Sequence, residues 1–387
     1  MSGEASEYDA SQIQVLEGWE AIRKRPGMYI GSTGERGLLQ MVFEAANRAV
    51  NEVLAGHASI VDVTLTPDGG VRVADDGRGV RIDESGVSGT SGLEALLTRF
   101  QTGPGTGGRH DVTLGLFGLG PFVVNALSSR MTAEVRRGGA GWVQEYARGV
   151  AVTPLIEAGT STGSGTTITF WPDDDIFGAA ELSFDGLAER FRELSLLNKG
   201  LEISLTDQRG PGESRSARFR HPGGARDFVA LLDEQEEPPV HRHIVGFERE
   251  DPRMAGTVEV ALRWRDSQEE RLRSFANSRP TFGGTHERGF RDGVAAAVTA
   301  YAREQRLLTT ADPDLEGDRI GEGLTAVVSV KLDDPEFEGS TRGVLGNAAV
   351  RLCVEEAVRQ HLGRWLEEHP ERAAGVIGRM IKVARRD

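Results

Sequence analysis

The sequence predicts a two-unit α+β protein, and three observations carry that prediction. Its 387 residues exceed one ordinary domain and leave room for two or three cores. Runs with apolar residues three and four apart are interspersed with short alternating runs, the periods of helices and of half-buried strands. After Asp207 a Gly/Ser/Arg-rich turn and then Pro238-Pro239 mark the passage to a second unit, with the boundary near residue 220. No internal repeat is visible.

Residues 1–15 read as an exposed arm and 24–31 (KRPGMYIG) as a turn-rich basic segment. Apolar residues at 38, 39, 42, 46, 49, 50 and 53 predict an amphipathic helix over 38–54. Alternating runs at 60–66 and 70–74 flank Pro67-Asp68-Gly69-Gly70, which predicts a hairpin. Residues 101–113 have loop composition, and 115–128 passes from glycines into an apolar helix. Several short strands are expected over 132–169 and a helix over 181–197. In the second unit 257–266, 271–276 and 326–332 are strand-like, while 289–303, 346–366 and 371–386 are helical.

Composition narrows the function. Hydrophobic residues at 38% and charged residues at 27% describe a globular chain rather than a disordered one. A net charge of −14 argues against a bulk-basic nucleic-acid binder and leaves room only for a local basic groove. The longest charge-free apolar stretch, 115–127, is Gly-rich and falls short of the roughly 20 residues needed to cross a bilayer. The acidic, polar segment 1–9 does not read as a secretory leader, and a cytoplasmic location is expected. A single cysteine, Cys353, excludes an intramolecular disulfide and a cysteine-based zinc site. Lysine occurs only at 24, 199, 331 and 382, so a Lys-to-Arg difference carries less meaning here than usual.

Three segments carry candidate chemistry. GLFGLG at 115–120, followed by Pro121 and an apolar helix, lets the backbone approach a ligand and offers helix-start N–H groups to an anion. It is not the common P-loop, because no lysine in the sequence follows a glycine. Asp75-Asp76-Gly77-Arg78-Gly79 closes a predicted strand; it is plain turn chemistry or a buried carboxylate that accepts from a ring amino group. Glu44, Arg48 and Glu52 lie four apart on one helix face, either as a surface ion-pair ladder or with Glu44 as a general base for water.

In chain order, the acidic helix, the DxGxG turn and the GxxGxG helix start resemble the Bergerat-type (GHKL) ATP-binding fold shared by gyrase, heat-shock protein 90, MutL and histidine kinases. Within it the chain is most similar to the B subunits of DNA gyrase and topoisomerase IV, which belong to the type IIA topoisomerases. The similarity rests on RKRPGMYIGSTGERGL at 23–38, DDGRG at 75–79, VVNALS at 123–128 and GTTITFWPD at 165–173. It continues through FAN at 275–277, GGTH at 283–286 and EGLTAVVSVK at 322–331, and covers residues 8–386.

The resemblance implies an N-terminal dimerisation arm over 1–15, an ATP-binding α/β sandwich over 16–220 and a ribosomal-protein-S5-like transducer domain over 221–387, without a TOPRIM domain. It implies Glu44 as the base that activates water against the γ-phosphate, and Asp75 as the adenine-binding carboxylate, with Gly77 and Thr166 holding a water beside it. Arg78 and Glu52 form an ion pair at the pocket edge. Gly115, Gly118, Leu119 and Gly120 form the phosphate cradle under a lid at 101–114. Tyr8 and Ile13 reach into a partner subunit when ATP closes a homodimer, and Arg342 stands where the family's lysine touches the γ-phosphate. A gyrase A-like subunit and DNA are the implied partners, with no membrane association. DNA cleavage is not expected of this chain alone.

Departures from the pattern qualify this. Arg48 stands where the family has an asparagine ligand for Mg²⁺, and a guanidinium has only donors. It is expected either to hold phosphate oxygens in the metal's place or to pair with Glu44, so no metal ligand is assigned. Asn51 replaces an aspartate, Asp111 and glycines replace lid lysines, and Phe117 replaces a histidine. Two functions follow. One is the ATP-hydrolysing dimer gate of a topoisomerase; the other is a non-hydrolysing paralogue acting as nucleotide sensor or dimerisation module.

Overall fold

The computed structural model describes residues 18–85, 90–100, 112, 114, 118–233, 243–309, 320–339 and 343–384. The first unit opens with α1 (Gly18–Lys24), α2 (Gly27–Ile30) and the long α3 (Glu35–Leu54), then β1 (Val61–Leu65) and β2 (Val71–Asp75). The short strands β3 (Glu84–Ser85) and β4 (Thr90–Ser91) lead to α4 (Gly92–Thr98) and α5 (Pro121–Ala126). Next come β5 (Ser128–Arg137), β6 (Ala140–Ala147), β7 (Val150–Ala151), β8 (Ile156–Thr160) and β9 (Gly165–Pro172). The helices α6 (Asp174–Phe177) and α7 (Phe184–Leu197) precede β10 (Ile203–Asp207) and β11 (Arg215–Phe219). Among the described residues, nine strands form one sheet in the order β11-β10-β1-β2-β9-β5-β6-β7, with β8 on β6.

This sheet is half of a two-layer sandwich. Strand β1 alternates buried and partly buried residues, so that Val61, Val63 and Leu65 face the helices. Helix α3 lays Met41, Val42, Ala45, Ala49 and Val50 onto β1, β2 and β9, and its Phe43 meets Phe191 of α7 edge-on. The hairpin expected at 67–70 joins β1 to β2, with Val61 opposite Asp75 and Leu65 opposite Val71.

The second unit comprises α8 (Ala225–Asp233), β12 (Val245–Asp251), β13 (Gly256–Trp264), β14 (Arg271–Ala276), β15 (Arg279–Thr281) and α9 (Thr285–Glu304). It ends with β16 (Leu324–Leu332), β17 (Phe337–Glu338), β18 (Val344–Leu345), α10 (Ala348–Glu368) and α11 (Pro370–Ala384). Its sheet runs β12-β13-β16-β14-β15, and the core beneath it joins Val258, Val260 and Val328 to Phe290 and Val294 of α9 and Val354 and Val358 of α10. Among the described residues no helix is long and apolar enough to cross a membrane.

The two units meet through α7. Leu196 and Leu197 pack with Phe228 and Val229 of α8 and with Ala261, Phe275 and Val327 of the second sheet. Around this apolar patch, Asn198 Nδ2 donates to Ser278 Oγ at 2.9 Å, Arg273 pairs with Glu193 at 3.2 Å and Lys199 pairs with both Glu248 and Glu259.

Several expectations need correction. The segment at 24–31 forms the end of α1 and all of α2 rather than turns alone, because Pro26 holds helical backbone angles at the start of α2. Helix α9 begins at Thr285, ahead of the first periodic residue. Strands β10, β11 and β12 and helix α8 have no counterpart in the sequence reading. The outer strand β11 (RSARF) is largely exposed, and the outer strand β12 (VGFERED) carries a charged run and is mostly half-buried, so the alternation that betrays a strand is weak in both.

His286 lies wholly buried at the start of α9, with Nε2 3.0 Å from Thr281 Oγ1 and Nδ1 without a partner. Burial pushes its imidazole down to about 4 from the ordinary value of 6.5. Unfolding restores the ordinary value, so the unfolded chain binds the extra proton between these limits. The stability this residue contributes is complete above pH 6.5 and falls as pH drops toward 4, by about 3 kcal/mol across the window. Denaturant unfolding at about pH 7 and about pH 4.5 is expected to show this loss in the parent chain beyond that of His286→Gln, which takes up no proton.

Candidate functional site

A row of charged residues bordering the aliphatic stripe of α3 organises the site. Glu44, Arg48 and Glu52 succeed one another at helical four-residue steps, and each meets a different element. The Glu44 carboxylate has no exposed surface; its Oε1 accepts from Gln40 Nε2 at 3.2 Å and its Oε2 from the Gly120 amide at 2.8 Å. Gly120 takes φ +74°, open to glycine at little cost, and Pro121 starts α5 directly after it. The helix opening expected to receive an anion therefore already directs one amide to Glu44.

Asp75 ends β2, and sheet register sets Thr166 of β9 directly opposite it. Both are buried. Asp75 Oδ1 accepts from the Gly77 amide at 2.9 Å, and a Cβ at Gly77 would lie 2.8 Å from that oxygen and 2.9 Å from Glu52 Oε2, so position 77 has no room for a side chain. Burial raises the pKa of Asp75, while the charge of Arg48 and the Gly77 amide act to lower it. At the rim, Arg78 pairs with Glu52 at 3.0 Å, and its backbone amide also donates to Glu52. Partial burial acts to raise the Glu52 pKa, but the Arg78 hydrogen bond and the Arg48 charge outweigh it and hold the carboxyl below its usual range.

Arg48 does not pair with Glu44 as one of the two sequence expectations had it. Its Nη2 donates to Thr166 Oγ1 at 2.6 Å and its Nη1 to Asp75 Oδ2 at 3.4 Å. The guanidinium thus turns to the strand end of the pocket, away from the start of α5, and bridges the two residues that the resemblance assigns to the base. The metal position fares no better. Arginine offers no lone pair, the adjacent Asn47 Oδ1 is engaged by the Leu114 amide at 2.9 Å, and among the described residues no group of three His, Cys, Asp or Glu is placed to hold an ion. The residues present do not furnish the implied Mg²⁺ ligand.

The structure brings together Glu44, Arg48, Glu52, Asp75, Gly77, Arg78, Thr166 and Gly120, with Gly118 and Leu119 leading into α5. Tyr8, Ile13, Gly115, Phe117, Asp111 and Arg342 lie outside the described residues, as does most of the lid expected at 101–114. Sequence reading missed a clasp. Asn51 exchanges two hydrogen bonds with the backbone of Val112, at 3.0 and 2.9 Å, and Asn47 accepts from Leu114 one turn earlier. Two asparagines four apart on a site-facing helix are the signal that could have found it. An aspartate at position 51 could not donate to the Val112 carbonyl.

Comparison with known proteins agrees over both units. Residues 33–176 match the family described as histidine kinase-, DNA gyrase B- and HSP90-like ATPase, and 224–387 match DNA gyrase B. DNA gyrase B of Streptomyces coelicolor is 44% identical over 400 residues, spanning 99% of this chain and 58% of the relative. That of Micrococcus luteus is 42% identical over 416 residues, spanning 98% and 58%. The chain thus spans less than two thirds of the length of these relatives. The crystal structure of the 43K ATPase domain of Thermus thermophilus gyrase B, in complex with an aminocoumarin, superposes with a TM-score of 0.82 at 32% identity, covering 95% of each chain.

The clasp predicts a local effect. Asn51→Asp leaves the Val112 carbonyl without its donor, and Asn47→Ala removes the acceptor of the Leu114 amide. Amide hydrogen exchange at Val112 and Leu114 is expected to quicken about tenfold for each lost bond, while exchange in β1 and β2 is unchanged.

Proposed function

The chain belongs to the DNA gyrase B family, and from that premise we propose that it is the ATP-binding, ATP-hydrolysing gate of a type IIA DNA topoisomerase, comprising an ATP-binding domain over 16–220 and a transducer domain over 221–387. The observation that carries the reading is the pairing, on one helix face, of a buried carboxylate at the glycine-lined start of α5 with the buried Asp75–Thr166 pair at the end of β2 and β9.

In this reading the adenine amino group donates to Asp75, which keeps acceptor capacity beyond the Gly77 amide and Arg48. The phosphates extend toward Gly118, Leu119 and Gly120. Glu44 then takes a proton from the water that attacks the γ-phosphate. The Gly120 amide and the Gln40 side chain fix the carboxylate, so it enters the reaction already oriented. Arg342 is assigned to the γ-phosphate and residue 115 to the cradle. Position 48 supplies no ligand oxygen for Mg²⁺. ATP binding closes a homodimer through the arm at 1–15, with Tyr8 and Ile13 reaching the partner. The contacts of α7 with the second sheet supply a path from nucleotide to transducer. A gyrase A-like subunit and DNA are the partners assigned to the assembled enzyme, in the cytoplasm.

Steady-state phosphate release and calorimetric titration test this. Glu44→Gln is expected to lower turnover by about 10²–10⁴ while ATP binding persists. Asp75→Asn is expected to weaken ATP binding about 10- to 100-fold, the worth of a hydrogen bond to a charged acceptor. A parent chain that binds ATP without hydrolysing it would overturn the catalytic assignment.

A further inference from the structure

The side chain at position 48 points to a property of the pocket that neither the family position nor the proposed gate requires. Arg48 bridges Asp75 and Thr166. Thr166 Oγ1 already receives the Val80 amide at 3.0 Å, so Arg48 fills its second acceptor position. Asp75 Oδ1 holds the Gly77 amide at 2.9 Å. What remains at this end of the pocket is an acceptor, the spare lone pairs of Asp75, beside a donor, the spare N–H groups of Arg48. The Nη1 contact to Asp75, at 3.4 Å, is beyond the usual range for N–H···O, so this nitrogen is not strongly held by the carboxylate. The side chain is also one-fifth exposed, with 20% of its surface accessible.

A lone carboxylate favours a 6-aminopurine and repels a 6-oxopurine, whose carbonyl oxygen would face another acceptor. A donor beside the carboxylate removes that discrimination. A 6-aminopurine can give its amino hydrogen to Asp75 and accept from Arg48 at N1. A 6-oxopurine seated the same way, with position 6 between Asp75 and the neighbouring Arg48 guanidinium, can accept from Arg48 at O6. The paired positive charge also offsets the carboxylate field at the carbonyl oxygen. We infer that Arg48 is a base-reading residue that opens this site to 6-oxopurine nucleotides alongside ATP. The inference rests on the reading of the pocket as a nucleotide site.

Calorimetric titration of the full chain with ATP, GTP and inosine triphosphate tests it. The inosine nucleotide isolates O6 and N1–H from the guanine amino group. The parent chain is expected to bind all three within about tenfold. Arg48→Leu, which removes every donor, is expected to weaken GTP and inosine triphosphate relative to ATP by about 10- to 100-fold, the worth of a hydrogen bond from a charged donor. Arg48→Lys restores a charged donor and is expected to recover part of that ratio, which a merely structural role would not produce. If Arg48→Leu fails to fold by circular dichroism, the ratio is read on Arg48→Met, which likewise has no donor. A parent chain that binds ATP but discriminates more than tenfold against both 6-oxopurines overturns the inference and leaves the nucleotide site standing. An unchanged ratio in the folded variant overturns the role of Arg48. A parent chain that binds none of the three overturns the nucleotide site itself.

Discussion

A carboxylate with no exposed surface must be met by donors, and much of the site follows from how this chain meets that demand at Glu44. The Gly120 amide and the Gln40 side chain are among its partners, so the start of α5 is tied to the middle of α3. A left-handed glycine followed by proline lets the chain present that amide and begin a helix at once. From this anchor the four-residue step of α3 sets the rest. Arg48 falls opposite the end of β2 and β9, and Glu52 falls against Arg78 at the rim. One helix thus supplies the aliphatic stripe that closes the first core and the charged stripe that defines the pocket.

The same helix holds the segment that contains Val112 and Leu114. Asn47 and Asn51 bind alternate residues of that segment, and the side chains of Val112 and Leu114 are buried. At the other end of the first unit, α7 inserts Leu196 and Leu197 between α8 and the second sheet, with polar links on either side. The two units are therefore joined by packed, hydrogen-bonded elements. Such contiguity is what a two-state gate requires of its frame.

Position 48 shows how a role tied to a family position changes when the side chain changes length. A short amide at this point would act near its own helix. An arginine spans the pocket to the strands, and its planar donors settle where buried acceptors already lie, on Asp75 and Thr166. The expectation that it would pair with Glu44 followed from helix geometry, which knows neighbours at four-residue spacing but not strands that arrive from elsewhere.

The long periodic elements were legible in the sequence: α3 from its three-four spacing, the β1–β2 hairpin from Pro67-Asp68-Gly69-Gly70, and β16 and α10 from their branched and apolar runs. These are local signals, set by the residues that form each element. The site residues Glu44, Asp75, Gly77 and Thr166 were also nameable, because their motifs recur in a known order. The charged outer strands β11 and β12 were not legible, since what makes them strands is a hydrogen-bonded neighbour rather than their own alternation. The exchange between Asn51 and Val112 was equally out of reach, because loop return decides it, and Thr166 could be placed beside Asp75 only through the resemblance, because sheet register sets that pair. The sequence alone determined which groups the protein owns and in what local shapes. Only the tertiary structure decided which donor meets which acceptor, because buried polar groups choose their partners by proximity in space, across 118 positions of chain in the case of Arg48 and Thr166.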